Sequence, residues 1–192
     1  MTKKTWSGAL VLLIFFSTSA FGQLTNDSKA GFGLTYNPIT VKTVAPFVYC
    51  CLPHKGPLTD IESVIAQLME TMQNQKITPM GALFGVYYNS PEEAKPEELQ
   101  WEFAFPVSPQ ASPQKPLEKK TWTYRTVATG LHVGPYEKVG KTIGSMEKQL
   151  EAEGYSAVGP ILERYLDMDP SKVKPEQLRT EIWIPCEKRK KQ

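Results

Sequence analysis

The stretch RTEIWIP, which begins at Arg179, places three side chains capable of binding chemistry at alternate positions. If the stretch is a β-strand, Arg179, Glu181 and Trp183 point to one side of the sheet, and the Thr and two Ile between them point to the other. A carboxylate beside a large aromatic ring suits an organic cation, which is attracted by both groups. The same pattern also suits a solvent-exposed sheet surface that carries cross-strand charge pairs.

The sequence contains a second copy of this strand and of the segments before it. His54 matches His132 at an offset of 78 residues (132 minus 54), and Glu102 matches Glu181 at an offset of 79 (181 minus 102). Other matched pairs in the same order are Gly56 with Gly134, Pro57 with Pro135, Gly81 with Gly159, Tyr87 with Tyr165, and Pro106 with Pro185. Two copies are too few for a solenoid, so we predict two half-domains related by a pseudo-two-fold axis.

Each half shows the same order of elements, β-α-β-β. A β-rich run (39–52 and 121–132) is followed by Gly-Pro, which marks the start of a helix. Apolar residues then recur at helical spacing, which predicts that these faces pack in the core. The two stripes are Leu58, Ile61, Ile65, Leu68 and Met72, and Tyr136, Val139, Ile143, Met146 and Leu150. The predicted fold class is therefore α+β, a curved antiparallel sheet with both helices on one face and a ligand cleft on the other.

The helices are expected to cover the apolar sides of the strands, which leaves a polar and aromatic set on the helix-free face. Small residues at Gly85 and Ala104 favour a concave surface there. The candidate ligand-binding residues are Glu181, Glu163, Tyr165, Trp183, Glu102, Tyr87 and Arg179. A wet outer sheet face is the alternative interpretation of the same residues.

The remaining segments set the expected boundaries and location. Residues 1–22 have two lysines, an apolar run and small residues, which is typical of an export signal peptide, and residues 23–38 show no regular pattern. The repeats are predicted at 39–107 and 121–187, within one domain at 39–187, with a Pro-rich linker at 108–120 and a basic tail at 188–192. We therefore expect an exported protein, periplasmic or secreted, without a stable membrane anchor after cleavage.

Composition narrows the classes of partner. The net charge of +2 does not indicate nucleic-acid binding, and no Cys or His spacing indicates zinc, so we expect neither a metal nor a cofactor. His54 and His132 are interpreted as structural turn residues, with haem ligation as the other possible role. Cys50 or Cys51 pairing with Cys186 stays open beside three buried thiols, because export permits a disulfide.

The chain resembles the GyrI-like small-molecule-binding domain, which also forms the effector-binding part of AraC-type and MerR-type regulators. The resemblance rests on GPY before the second helix, ERYL in the following strand, PEQL in the loop and EIWIP in the last strand, and it covers residues 40–187. It implies two β-α-β-β modules around a central cleft that recognises amphipathic or cationic organic molecules. It also implies cleft positions for Glu181, Glu163 and Tyr165, with Glu102 as the repeat mate of Glu181.

Two functions follow from the resemblance. The first is a binding protein in which Glu181 is the counter-charge and Trp183, Tyr165 and Tyr87 are the walls. The second is a hydrolase, because some relatives hydrolyse strained cyclopropane-bearing electrophiles; Glu181 or Glu163 would then act as general base and Tyr165 as hydrogen-bond donor. A DNA-binding regulator is not expected, since only an export signal precedes the domain.

Overall fold

The structure, a computed structural model, describes residues 38–189 and contains two α-helices and nine β-strands in that range. The strands are β1 (Thr40–Thr43), β2 (Phe47–Lys55), β3 (Phe84–Tyr87), β4 (Gln100–Pro106), β5 (Glu118–Trp122), β6 (Thr126–Val133), β7 (Tyr155–Ala157), β8 (Ile161–Tyr165) and β9 (Arg179–Lys188). The helices are α1 (Ile61–Asn74) and α2 (Val139–Ala152). The predicted signal peptide, nearly all of the predicted irregular segment and residues 190–192 of the tail lie outside the described range.

The strand order confirms the predicted α+β repeat architecture. The main sheet is antiparallel in the order β1-β6-β9-β8-β3-β4-β2-β5, and β7 pairs with β9 beside it. The order reads the same from either edge when each strand is replaced by its repeat mate, so the pseudo-two-fold axis passes between β8 and β3. The two modules are β2-α1-β3-β4 and β6-α2-β8-β9.

The edge strands differ from the prediction. The run 39–52 forms two strands, β1 and β2, and β5 begins at Glu118, inside the segment predicted as linker. Strand β1 precedes the first module but pairs with β6 of the second, and β5 precedes the second but pairs with β2 of the first. The two modules therefore exchange edge strands. Strand β5 was not predicted because it follows a proline-rich segment that ends at Pro116. Its alternating pattern is also only five residues long.

The helices follow the predicted apolar stripes except at Leu58, which lies in the turn before α1 and is exposed, so its predicted place in the core is wrong. Each helix begins after Gly-Pro and one 3₁₀ turn. Helix α1 buries Val64, Ile65, Leu68 and Met72 against β2 and β4, and α2 buries Val139, Met146 and Leu150 against β6 and β9. Gly154 ends α2 in the left-handed region (φ 81°), which a residue without a Cβ adopts at little cost. The central strands β3 and β8 are left between the two helices.

The helix-free face of the sheet is concave and filled with aromatic side chains. Phe47 on β2 and Trp183 on β9 are four strands apart in the sheet order, which is about 19 Å in a flat sheet. Their ring centroids are only 6.3 Å apart. Strong curvature therefore closes the sheet around a core that also contains Tyr49, Phe84 and Trp122, all buried. The ligand cleft expected on this face is occupied by packed rings.

Two further properties of the described residues concern the state of the cysteines and the length of the helices. Cys50, Cys51 and Cys186 are buried and free, because they pack in three separate clusters: the α1 core, the aromatic core of the helix-free face and the α2 core. None of the helices found in residues 38–189 is long and apolar enough to cross a membrane.

Candidate functional site

The seven predicted site residues divide between the two faces of the sheet. Glu163 pairs with Ile182, and Tyr165 pairs with Thr180, so both point to the same side as the residues of β9 that contact α2. Tyr87 packs against the α1 core. The prediction that Glu163, Tyr165 and Tyr87 face away from the helices is therefore wrong.

The cause of the error is the phase of β8. Its sequence, ILERY, begins with two adjacent apolar residues, so alternation alone does not decide which of them faces the helices. Leu162 pairs with Trp183 and is fully buried in the aromatic core of the helix-free face. Ile161 packs with α2 instead. Ile161, Glu163 and Tyr165 therefore lie on the helix side of β8.

The helix-side residues form a hydrogen-bonded chain at the centre of the sheet. The Tyr165 hydroxyl donates to Glu163 Oε2 at 3.2 Å, and the hydroxyl oxygens of Tyr87 and Tyr165 are 2.9 Å apart. Because Tyr165 has one proton to donate, Tyr87 is the donor in the second bond. These three residues, called here the Tyr-Tyr-Glu chain, are partly exposed between the two helices.

Aromatic rings surround this chain. Phe103 stacks on Tyr165 with centroids 5.8 Å apart and planes at 24°. Tyr136, which lies before α2, meets the same ring edge-on at 5.4 Å. Phe103 and Tyr136 were absent from the predicted set, although the helical spacing of Tyr136 had already placed it in the core-facing stripe.

The environment of Glu163 shifts the protonation equilibrium of its carboxyl group. Burial raises the pKa of Glu163 to about 7, and the hydrogen bond from Tyr165 opposes this by stabilising the ionised form. Burial also raises the pKa of both tyrosines, so they remain neutral donors. Within residues 38–189, none of the ion pairs involves Glu163. A partly buried carboxylate without a cation, among ring faces, is suited to an organic cation or to accepting a proton.

The carboxylates of the helix-free face already have cationic partners. Glu181 is bound by Arg164 at 2.9 Å and by Lys42 at 3.4 Å, and both cations lie over the Trp183 ring at 5.6 and 5.4 Å. Arg179 turns to Asp167, which it contacts through its guanidinium at 2.9 Å and its backbone N–H at 2.6 Å. The predicted cation-binding residue Glu181 is thus paired within the protein.

Glu102 has the same arrangement in a more buried form. It has no exposed surface, forms an ion pair with Lys120 at 2.5 Å and accepts a hydrogen bond from Tyr49 at 3.0 Å. Lys120 is the repeat mate of Lys42, at an offset of 78 (120 minus 42), as Glu102 is of Glu181. Each exchanged edge strand therefore carries the lysine that neutralises a glutamate of the other module. The repeat in the sequence already indicated that Lys42 and Lys120 are equivalent, since both lysines precede their modules by the same distance.

The two histidines hold turns. His54 Nε2 is 2.9 Å from Asp60 Oδ2, and the ring of His132 bonds to Thr142 Oγ1 and to the Pro135 carbonyl. No group of His, Cys, Asp or Glu with metal-binding geometry is present in the part of the chain that the structure describes.

Comparison with known proteins supports the fold. The family model of the GyrI-like small molecule binding domain matches residues 37–187. No curated protein matches the sequence. The C-terminal domain of EcmrR superposes with a TM-score of 0.71 at 19% identity, covering 80% of this chain and 99% of that one.

Two other similar structures carry information on ligands or activity of their own proteins. SAV2435 bound to tetraphenylphosphonium matches with a TM-score of 0.56 at 12% identity, covering 78% of this chain and 94% of that one. A hydrolase encoded by lin2189 from Listeria innocua matches with a TM-score of 0.56 at 15% identity, covering 79% and 92%. At these identities the superpositions show a shared fold, and the family model spans most of the described residues. The chain therefore belongs to the family of GyrI-like small-molecule-binding domains.

Proposed function

We propose that the protein binds an amphipathic organic cation between its two helices, with Glu163 as the counter-charge and Tyr87 and Tyr165 as the walls. The observation that carries this proposal is the state of Glu163: it lies among aromatic rings, its pKa is raised to about 7, and no ion pair of the described residues involves it. A bound cation stabilises the ionised carboxylate and so supplies the interaction that the free protein lacks.

In this proposal the counter-charge of the ligand is Glu163 and not Glu181, which the sequence had indicated. Glu181 and Glu102 each have a lysine or arginine partner, so a ligand cation at either position competes with a cation of the protein itself. Glu163 presents no such competition. A structural neighbour, SAV2435, was solved with tetraphenylphosphonium, an apolar monocation of the chemical class that this site suits.

The place of action is a second part of the proposal. The N-terminal residues 1–22 have the composition of an export signal, so we place the mature protein in the periplasm or outside the cell. In that setting the binding function would serve sequestration or sensing of a small molecule. Cell fractionation with an antibody against the protein tests the location, and recovery only from the cytoplasm would refute it.

Binding of a cation is expected to depend on pH through Glu163. The cation prefers the ionised carboxylate, whose pKa in the free protein is about 7. Affinity therefore falls as pH drops through 7, and we expect tetraphenylphosphonium to bind about tenfold more weakly at pH 6 than at pH 8. Isothermal titration calorimetry at the two pH values measures this change.

The matched control is triphenylphosphine oxide, which has three of the same rings and no net charge. Its affinity is expected to change little between pH 6 and pH 8. Equal affinity of tetraphenylphosphonium at both pH values, or equal pH dependence of the two compounds, would contradict the role of Glu163.

The second candidate function is hydrolysis, and the same carboxylate favours it. A glutamate with a pKa near 7 is matched to general-base work at neutral pH, and Tyr165 is placed to donate a hydrogen bond beside it. One structural neighbour is described as a hydrolase. Incubation with strained electrophiles distinguishes the two functions: protein-dependent product that disappears in Glu163→Gln supports the enzyme, whereas saturable binding without product supports the binder.

A further inference from the structure

The two modules differ at the position where the pseudo-two-fold axis crosses the sheet. Gly85 on β3 pairs directly with Glu163 on β8, and the two residues are repeat mates, since 163 minus 85 is 78. In a fully symmetric chain these positions would carry the same side chain. Here one module supplies a carboxylate and the other supplies no side chain.

The tyrosines keep the symmetry that this pair breaks. Tyr87 and Tyr165 are also repeat mates, and their hydroxyls meet across the axis at 2.9 Å. The ring of Tyr87 lies over Gly85, so that a Cβ built on Gly85 would be 2.9 Å from Tyr87 Cε2 and 3.0 Å from its hydroxyl. The absence of a side chain at Gly85 therefore allows Tyr87 to fold back over the axis and reach Tyr165.

We propose that Gly85 determines the charge of the ligand, because it limits the site to one carboxylate on the axis and so selects a monovalent over a divalent organic cation. This inference rests on the proposed function of the site. The Cβ atoms of a directly paired, cross-strand couple are about 4.5–5.5 Å apart. An acidic residue at Gly85 would thus face Glu163 at close range, and the two would suit two positive charges on one ligand.

The ligand charge that the site can compensate follows from the same geometry. One carboxylate with neutral tyrosine donors compensates one positive charge. A second positive charge on a compact rigid ligand would enter the partly buried site without a carboxylate to pair with. Burial of an unpaired charge is strongly unfavourable. The neutral glycine is what leaves the second charge uncompensated.

The test compares two cations of nearly equal shape. N-methyl-4-phenylpyridinium carries one charge, and 1,1′-dimethyl-4,4′-bipyridinium carries two on the same type of biaryl frame. Calorimetric titration of the unmodified protein is expected to show the monocation binding at least about tenfold more tightly. Equal affinity, or tighter binding of the dication, would overturn the inference without any variant.

Two substitutions then isolate the charge at Gly85. Gly85→Glu and Gly85→Gln introduce side chains of nearly the same size, and the contacts they displace are at the outer end of the Tyr87 ring, which can rotate. In Gly85→Glu the preference is expected to reverse to the dication, whereas Gly85→Gln keeps a preference for the monocation. The same preference in both variants would refute the assignment of charge selectivity to this position.

Failure of the inference can be told apart from failure of the proposed function. If neither cation binds the unmodified protein, or if Glu163→Gln binds the monocation as tightly as the unmodified protein does, the proposed function is wrong. If the monocation binds through Glu163 but the dication binds equally well, only the role of Gly85 is wrong. Should both Gly85 variants fail to fold, the comparison of the two cations on the unmodified protein still decides the question.

Discussion

Replacing Glu163 with Gln is expected to weaken tetraphenylphosphonium binding by about a hundredfold, because the charge of the ligand then loses its counter-charge in a partly buried site. The substitution keeps the size of the side chain and its ability to accept a hydrogen bond from Tyr165. Calorimetry or quenching of tyrosine and tryptophan fluorescence measures the change. Folding should be unaffected, since Glu163 has no ion pair to lose among the described residues.

The neutral compound triphenylphosphine oxide provides the control for this substitution. Its affinity should be the same in Glu163→Gln as in the unmodified protein, because it has no charge to compensate. A loss of about the same size for both compounds would show a damaged site rather than a missing charge. Unchanged binding of tetraphenylphosphonium would exclude Glu163 as the counter-charge.

Replacing Glu102 with Ala is expected to lower the free energy of unfolding by about 3 kcal/mol. Glu102 has no exposed surface, and its removal leaves Lys120 without its carboxylate partner and the Tyr49 hydroxyl without its acceptor. The exchanged edge strand β5 is then held less firmly to the first module. Equilibrium unfolding in urea, followed by tryptophan fluorescence, measures the loss.

The repeat supplies the matched control for this prediction. Glu181 is the mate of Glu102, but its side chain is 22% exposed and its partners Lys42 and Arg164 are 41% and 36% exposed. Replacing Glu181 with Ala is therefore expected to cost at most about 1 kcal/mol. Equal losses for the two substitutions would contradict the view that burial separates these otherwise equivalent ion pairs.

The sequence allowed the modules to be predicted because two independent signals agreed within each half. The matched His-Gly-Pro turns located the helix starts, and the apolar stripes located the faces, so that Leu68 and Met146 were assigned to the core correctly. Edge strand β5 was missed because its five residues follow a proline-rich segment and its partner β2 lies in the other half of the chain. Local periodicity does not predict which distant segments of the chain pair with each other.

The candidate site was predicted only in part, for a reason that concerns two strands. On β9, alternation of polar and apolar residues fixed the face, and Glu181 and Trp183 were placed correctly opposite the helices. On β8, apolar residues occupy both faces, so the phase depends on packing that the sequence does not show. Curvature was the other missing element, since it turned the helix-free face into a core of packed rings instead of an open cleft.

The central claim is that Glu163 is the carboxylate that a bound cation compensates. Its direct test is the titration of the Glu163 carboxyl carbon by NMR, with the signal assigned by its absence in Glu163→Gln, in the presence and absence of saturating tetraphenylphosphonium. We predict an apparent pKa near 7 in the free protein, as burial requires, and a clear shift to lower pH in the complex. The same titration curve in both samples would contradict the account.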